Sequence, residues 1–284
     1  MREGIKVTIS PLLLGGIGNR LFQVAAAKYV AQVTGLAFVL KPDYVKPNAH
    51  GLNERDNWYF RHIARESSGS STPIHFVNDI WGQSPEALVT RVNRLIEKLD
   101  PDQDTAIVLR GYFQNEAFFN APNHAAKIRE WFTWPHLLTE LPADENKLYA
   151  VHVRRGDYKN NAYHEVLTCN DQLHAYYHEA AKEFPNNAEC LVFSDDVDWC
   201  RSHFNDKAHF VDQKLGSFES LQLMSRCRLG VVMANSSFSW WGAWLNQNPQ
   251  KIVTMPSRWY GPRGRVERTN LFDVTSYSPI VIEV

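Results

Sequence analysis

Leu148-Tyr-Ala-Val-His-Val-Arg-Arg-Gly-Asp-Tyr158 decides the fold, because an apolar strand ends there on a cluster of permanent charge. His152 lies near the end of the apolar run, and Arg154, Arg155 and Asp157 stand just past it. Arginine is planar, always charged and able to grip two phosphate oxygens at once, so a diphosphate is the natural guest of such a strand end. The competing reading is that one of the two arginines pairs with Asp157 and braces the loop.

Downstream, helices and strands alternate: helix 171–183, strand 190–194, helix 197–204, strand 209–211, helix 219–227, strand 229–234, helix 237–246 and strand 251–255. That rhythm predicts a parallel, doubly wound sheet whose ligands bind beyond the carboxyl ends of its strands. Upstream, a strand over 6–14, the loop Gly15-Gly-Ile-Gly18, a helix over 19–34 and a strand over 36–40 make a βαβ-like start. Residues 43–82 show no clear period. A helix over 85–99, a strand over 106–111 and a helix near 123–132 close the first half. The expected domains are 1–140 and 141–284.

Two further strand ends project from the second half. Val192-Phe-Ser-Asp-Asp196 offers carboxylates for a ribose hydroxyl or a base N–H. Asp196-Val-Asp198 also matches the D-x-D pattern of metal-dependent transferases, and Asp195 or Asp196 equally suits the N-cap of the next helix. Val232-Met-Ala-Asn-Ser-Ser-Phe-Ser-Trp-Trp-Gly-Ala-Trp-Leu245 joins a strand to an aromatic helix. The hydroxyls of Ser236 and Ser237 and the N–H groups of that helix start would hold an anion. Trp240, Trp241 and Trp244 are expected in the core, and the sequon Asn235-Ser-Ser237 is discounted as a buried strand end.

Composition removes several functions. Lys plus Arg number 30 against 31 Asp plus Glu, so no overall field draws the chain to nucleic acid or an anionic membrane. Cys169, Cys190, Cys200 and Cys227 are too far apart for C-x-x-C metal spacing and too sparse for a disulfide scaffold, so reduced thiols are expected. The apolar start stops at Gly15, short of a bilayer span or signal peptide. A cytoplasmic protein is expected, with peripheral contact at a membrane surface left open. His174 and His178 share a helical face, yet no third metal ligand lies nearby in sequence.

Together, Gly15-Gly-Ile-Gly-Asn-Arg-Leu-Phe-Gln23, Gly111-Tyr-Phe-Gln114, His152-Val-Arg-Arg-Gly-Asp-Tyr158 and Ala234-Asn-Ser-Ser-Phe-Ser-Trp-Trp-Gly-Ala-Trp-Leu245 resemble the alpha-1,2-fucosyltransferase family, glycosyltransferase family 11. The resemblance spans nearly the whole chain. It implies a GT-B type α/β fold, two Rossmann-like domains facing a cleft, and inverting transfer of L-fucose from GDP-fucose to the 2-hydroxyl of an oligosaccharide or glycolipid acceptor. A terminal β-galactoside is the expected acceptor, and no metal or other cofactor is implied.

By motif position, Arg154 would hold the donor's β-phosphate and His152 would approach the guanine or ribose. Arg155 and Asp196 belong to the same donor set, with Ser236, Ser237 and Phe238 lining the diphosphate and nucleoside pocket. Asp157 is the candidate general base, or else orients an arginine. Gly16, Gly18 and Asn19 would serve the acceptor side. Two positions depart from the family pattern: Ser220 stands where an Asp is usual, leaving Glu219 to recognise guanine, and Arg20 follows Asn19 in place of Gln. A metal-dependent transferase with another donor, and a glycan-binding module without catalysis, are the rival readings.

Overall fold

The computed structural model describes residues 7–41, 44, 73–80, 83–119, 124–132, 139–160, 170–260 and 277–283. The chain forms two compact units, one of residues 1–133 with 269–273 and the other of residues 134–268 with 274–284.

The first unit runs β1 (Val7–Pro11), α1 (Ile17–Thr34), β2 (Ala37–Phe38), β3 (Ile74–Asn78), α2 (Pro85–Ile96), β4 (Thr105–Arg110) and α3 (His124–Trp131). All its strand pairs are parallel, in the order β2-β1-β4-β3. Helix α2 starts where Ser84 accepts the Ala87 N–H at 3.2 Å and Pro85 presets the first turn. Strand β3 emerges from the stretch that showed no period. It is an edge strand in which Val77 alone is buried, so burial imposes no alternation on its sequence. The rest of 43–72, apart from Tyr44, lies outside the described residues.

The second unit runs β5 (Leu148–Val153), α4 (Asn170–Ala181), β6 (Glu189–Ser194), α5 (Val197–His203), β7 (Ala208–Phe210), α6 (Ser217–Arg226), β8 (Gly230–Val232), α7 (Ser237–Leu245), β9 (Ile252–Pro256) and β10 (Ile280–Ile282). Every pair is parallel, in the order β10-β9-β8-β5-β6-β7. The expected doubly wound sheet is therefore present, with β10 as an additional edge strand. The chain moves one way from β5 to β7 and then returns to the other side of β5 with β8. That reversal opens a crevice between the carboxyl ends of β5 and β8. In the first sheet the same reversal falls between β1 and β4.

Burial follows the pattern. All six residues of β5 are buried, and Val151, Tyr176, Tyr177, Phe184 and Val192 share one core cluster on a face of the sheet. Trp240, Trp241 and Trp244 are at most 1% exposed, core residues as expected. Asn235 is buried, with its amide donating to the Trp259 carbonyl at 2.9 Å, which disposes of the sequon.

Gly230 opens β8 at φ 141°, where a Cβ would stand 1.7 Å from the Ile252 carbonyl oxygen of the neighbouring strand. No side chain fits between β8 and β9 there. Gly230→Ala is expected to cost at least about 3 kcal/mol, combining backbone strain with a clash against main chain. Urea denaturation checks this, and an unchanged midpoint would contradict the close approach.

Candidate functional site

Strands β8, β5 and β6 are neighbours, so the three polar motifs that follow them meet at one sheet edge. Register fixes the meeting: Val151 pairs with Val232 on one side, and Val153 with Ser194 on the other.

Two arginines leave β5 and meet two aspartates leaving β6. Arg154 Nη1 lies 2.7 Å from Asp195 Oδ2, with both side chains about a quarter exposed. The Arg154 guanidinium also sits 5.5 Å from the centre of the Tyr158 ring. Asp195 uses its other oxygen to accept the Arg155 backbone N–H at 2.9 Å. A Cβ at Gly156 would come within 2.7 Å of Asp195 Oδ2, so the glycine clears the path of this carboxylate.

Arg155 has a different task. It is buried, donates through Nε to Asp196 Oδ2 at 3.0 Å, and stacks over Trp199 at 4.4 Å. Lys159 reaches the same oxygen at 2.5 Å, while Asp196 caps α5 by accepting the Trp199 N–H at 3.4 Å. Partial burial alone would raise the Asp196 carboxyl, but hydrogen bonds from Lys159 and Arg155 hold it below its usual range. Both arginines pair with aspartates from the next strand; the side chain of Asp157, which opens a short 3-10 turn, lies outside the described residues.

His152 is buried under the crevice, its ring 5.2 Å from that of Phe238 in the first turn of α7. Its Nδ1 has no hydrogen-bond partner. A buried polar atom without a partner at a sheet edge is suited to a ligand. Burial first, and the nearby Arg154 second, push its pKa from 6.5 down to about 3, so the ring is neutral at physiological pH.

On the β8 side, Ser236 caps α7 by accepting the Phe238 N–H at 3.3 Å. Ser236, Ser237 and Phe238 are each partly exposed at the start of that helix. The Glu219 carboxylate accepts the Gly216 N–H at 2.8 Å through one oxygen and so caps α6. Gly16, Gly18 and Asn19 lie in the first unit, Gly16 at the N-cap of α1 and Gly18 and Asn19 in its first turn. There Asn19 Oδ1 accepts from Gln114 Nε2 at 2.6 Å, and Arg20 is fully buried with its Nε donating to the Gly15 carbonyl at 2.8 Å. The arginine that replaces the usual Gln therefore braces the glycine loop.

His203 of α5 joins the pair His174 and His178, at 6.2 Å from the first ring. Even so, no group of three or more His, Cys, Asp or Glu among the described residues is arranged to hold a metal ion. Cys190, Cys200 and Cys227 are buried and unbridged, and no helix among the described residues is long and apolar enough to cross a membrane.

The sequence pattern of Glycosyl transferase family 11 matches residues 105–263, more than half of the chain, and covers all three motifs of this edge. The chain belongs to glycosyl transferase family 11. An Escherichia coli alpha-1,2-colitosyltransferase is 29% identical, over 92% of this chain and 94% of its own. The O-antigen biosynthesis glycosyltransferase WbnK of Escherichia coli is 26% identical, over 90% of this chain and 96% of its own. Among solved structures, the alpha-1,6-fucosyltransferase NodZ of Bradyrhizobium, co-crystallized with GDP, is similar with a TM-score of 0.46 at 13% identity, over 84% of this chain and 92% of that one.

Within this family 11 glycosyltransferase, Asp195, Lys159 and Trp199 fix the arginine loop although no role had been read for them as its partners. Lys159 carried a faint signal, one helical turn after Arg155 in a charged loop. Trp199 carried none.

A buried histidine with a depressed pKa makes stability depend on pH in a set direction. Between pH 6.5 and about 3 the unfolded chain holds a proton on His152 that the folded chain refuses, so stability falls as pH falls through that window. The slope is at most about 1.4 kcal/mol per pH unit from this one group. His152→Asn is expected to flatten the dependence of the urea midpoint on pH between 7.5 and 5; an identical slope in both proteins would contradict a neutral, buried His152.

Proposed function

We propose that this glycosyltransferase moves L-fucose from GDP-fucose, with inversion and without a metal, to the 2-hydroxyl of an oligosaccharide or glycolipid acceptor ending in a β-galactoside. The observation that carries the reading is Arg154, a part-exposed guanidinium held by Asp195 at the point where the second sheet reverses its strand order. Such a crevice is where parallel sheets bind nucleotides.

In the reaction, the acceptor oxygen bonds to the anomeric carbon as the bond from that carbon to the β-phosphate oxygen breaks. The bonding pair leaves with GDP, and the hydroxyl proton passes to a base, for which Asp157 is the candidate. The transition state has oxocarbenium character, so positive charge builds on the sugar and negative charge on the diphosphate. Arg154, the hydroxyls of Ser236 and Ser237, and the N-terminal N–H groups of α7 stabilise that negative charge. One preorganised donor of this kind contributes about 3–4 kcal/mol. His152 Nδ1 meets the nucleoside, with Phe238 beside it. Gly16, Gly18 and Asn19 contact the acceptor.

Arg155 and Asp196 support this donor site from beneath, through the Lys159 and Trp199 contacts. The same contacts weigh against Asp196 as a metal ligand, because its carboxylate already serves two cations and a helix cap. A second donor deserves a place in the test, since one relative is named a colitosyltransferase. Colitose is L-fucose lacking the 3-hydroxyl, so the same diphosphate clamp suits either sugar.

Arg154→Ala is expected to lower kcat/KM by about 10²–10³-fold while the melting temperature holds, by analogy with losing one oxyanion donor. Full activity in a folded Arg154→Ala protein would overturn the clamp. GDP is expected to raise the melting temperature and UDP to leave it unchanged, with transfer from GDP-fucose or GDP-colitose unaffected by EDTA. Stabilisation by UDP would refute the guanine donor, and turnover that needs a divalent ion would refute the metal-free mechanism.

A further inference from the structure

Gly111-Tyr-Phe-Gln114 follows β4 at the strand-order reversal of the first sheet, next to the loop that follows β1. Its backbone is forced into an unusual path. Gly111 has φ 152°, and a Cβ there would meet the Asp79 Cβ at 2.1 Å, so no other residue fits. Phe113 has φ 50° and is the sole non-glycine residue with positive φ among the described residues. For a bulky aromatic this conformation is strained and persists only where its surroundings impose it.

Those surroundings are on view. The Phe113 N–H donates to Asp79 Oδ2 at 2.9 Å, and its ring is buried edge-on against Phe118 at 6.2 Å. Gln114 is tied to Asn19 in the first turn of α1. Each residue around Tyr112 is pinned, and the ring of Tyr112 is left 45% exposed. A strained turn at the carboxyl end of β4, the side on which a parallel sheet takes its ligands, thus buries one aromatic and leaves the next exposed.

We propose that Tyr112 is the platform on which the acceptor's terminal sugar stacks, which makes it a specificity-determining residue of the acceptor site. An aromatic face suits the apolar C–H face of a pyranose, and its phenol end suits the hydroxyl rim. The carboxamides of Asn19 and Gln114, linked to each other two residues along the turn, are polar groups of the kind that receive sugar hydroxyls. The inference rests on the glycosyl-transfer reading for the identity of its ligand.

The test pairs binding with kinetics, using lactose as the acceptor probe. Saturation-transfer NMR on the protein without nucleotide is expected to show lactose signals that Tyr112→Ala loses and Tyr112→Phe and Tyr112→Trp keep. In transfer assays, Tyr112→Ala is expected to raise the KM for lactose about tenfold or more, with the KM for the GDP-sugar and the GDP-induced melting shift within about twofold of the parent. Lactose signals that are absent from the parent, or equal in Tyr112→Ala, overturn the platform. Loss of the GDP melting shift in Tyr112→Ala overturns it too, by placing the residue in the donor site or the core. Failure of the parent to use any GDP-sugar instead overturns the donor reading, which the lactose signals do not depend on.

Discussion

The contact between Arg154 and Asp195 is the constraint on which the proposed donor edge depends. A guanidinium aimed at a diphosphate is useful only if it is already in place when the ligand arrives, and a long side chain at a strand end is otherwise free to swing. Asp195 removes that freedom with one oxygen and anchors the Arg155 amide with the other. Gly156 leaves the space, and the register of β5 against β6 brings the two loops level. A slip of one residue between these strands would turn every side chain to the opposite face.

Beneath that contact the edge divides its charges by burial. Arg155 and Lys159 share one oxygen of Asp196 in a partly buried network, and Trp199 stacks on the Arg155 guanidinium. Arg154 keeps a quarter of its side chain in solvent. The inner arginine is committed to the loop, whereas the outer one is the more exposed, which suits it to the proposed contact with the donor. The neutral His152 beside them adds polarity without further charge, because burial first and Arg154 second disfavour its protonated form.

Much of this was legible because apolar runs that stop on charges mark strand ends, and alternation of strands and helices implies a parallel sheet. The elements from β5 to β9 lie within a few residues of their expected bounds, and the tryptophans of α7 fall in the core. Partner choice was not legible. Asp195 and Asp196, the arginine partners that the described residues show, stand just past the neighbouring strand about forty residues away, a pairing that only sheet order and register create. Glu219 likewise reads as a free carboxylate until the cap of α6 is seen to use it. Strand β3 was hidden because an edge strand with one buried residue carries no period, and the positive φ of Phe113 has no sequence signature at all.

A crystal structure with GDP bound tests the central claim most directly. The account predicts the purine in the crevice between β5 and β8, with the Arg154 guanidinium donating to β-phosphate oxygens at about 2.7–2.9 Å. GDP bound elsewhere, or in that crevice with Arg154 turned away from both phosphates, would contradict it.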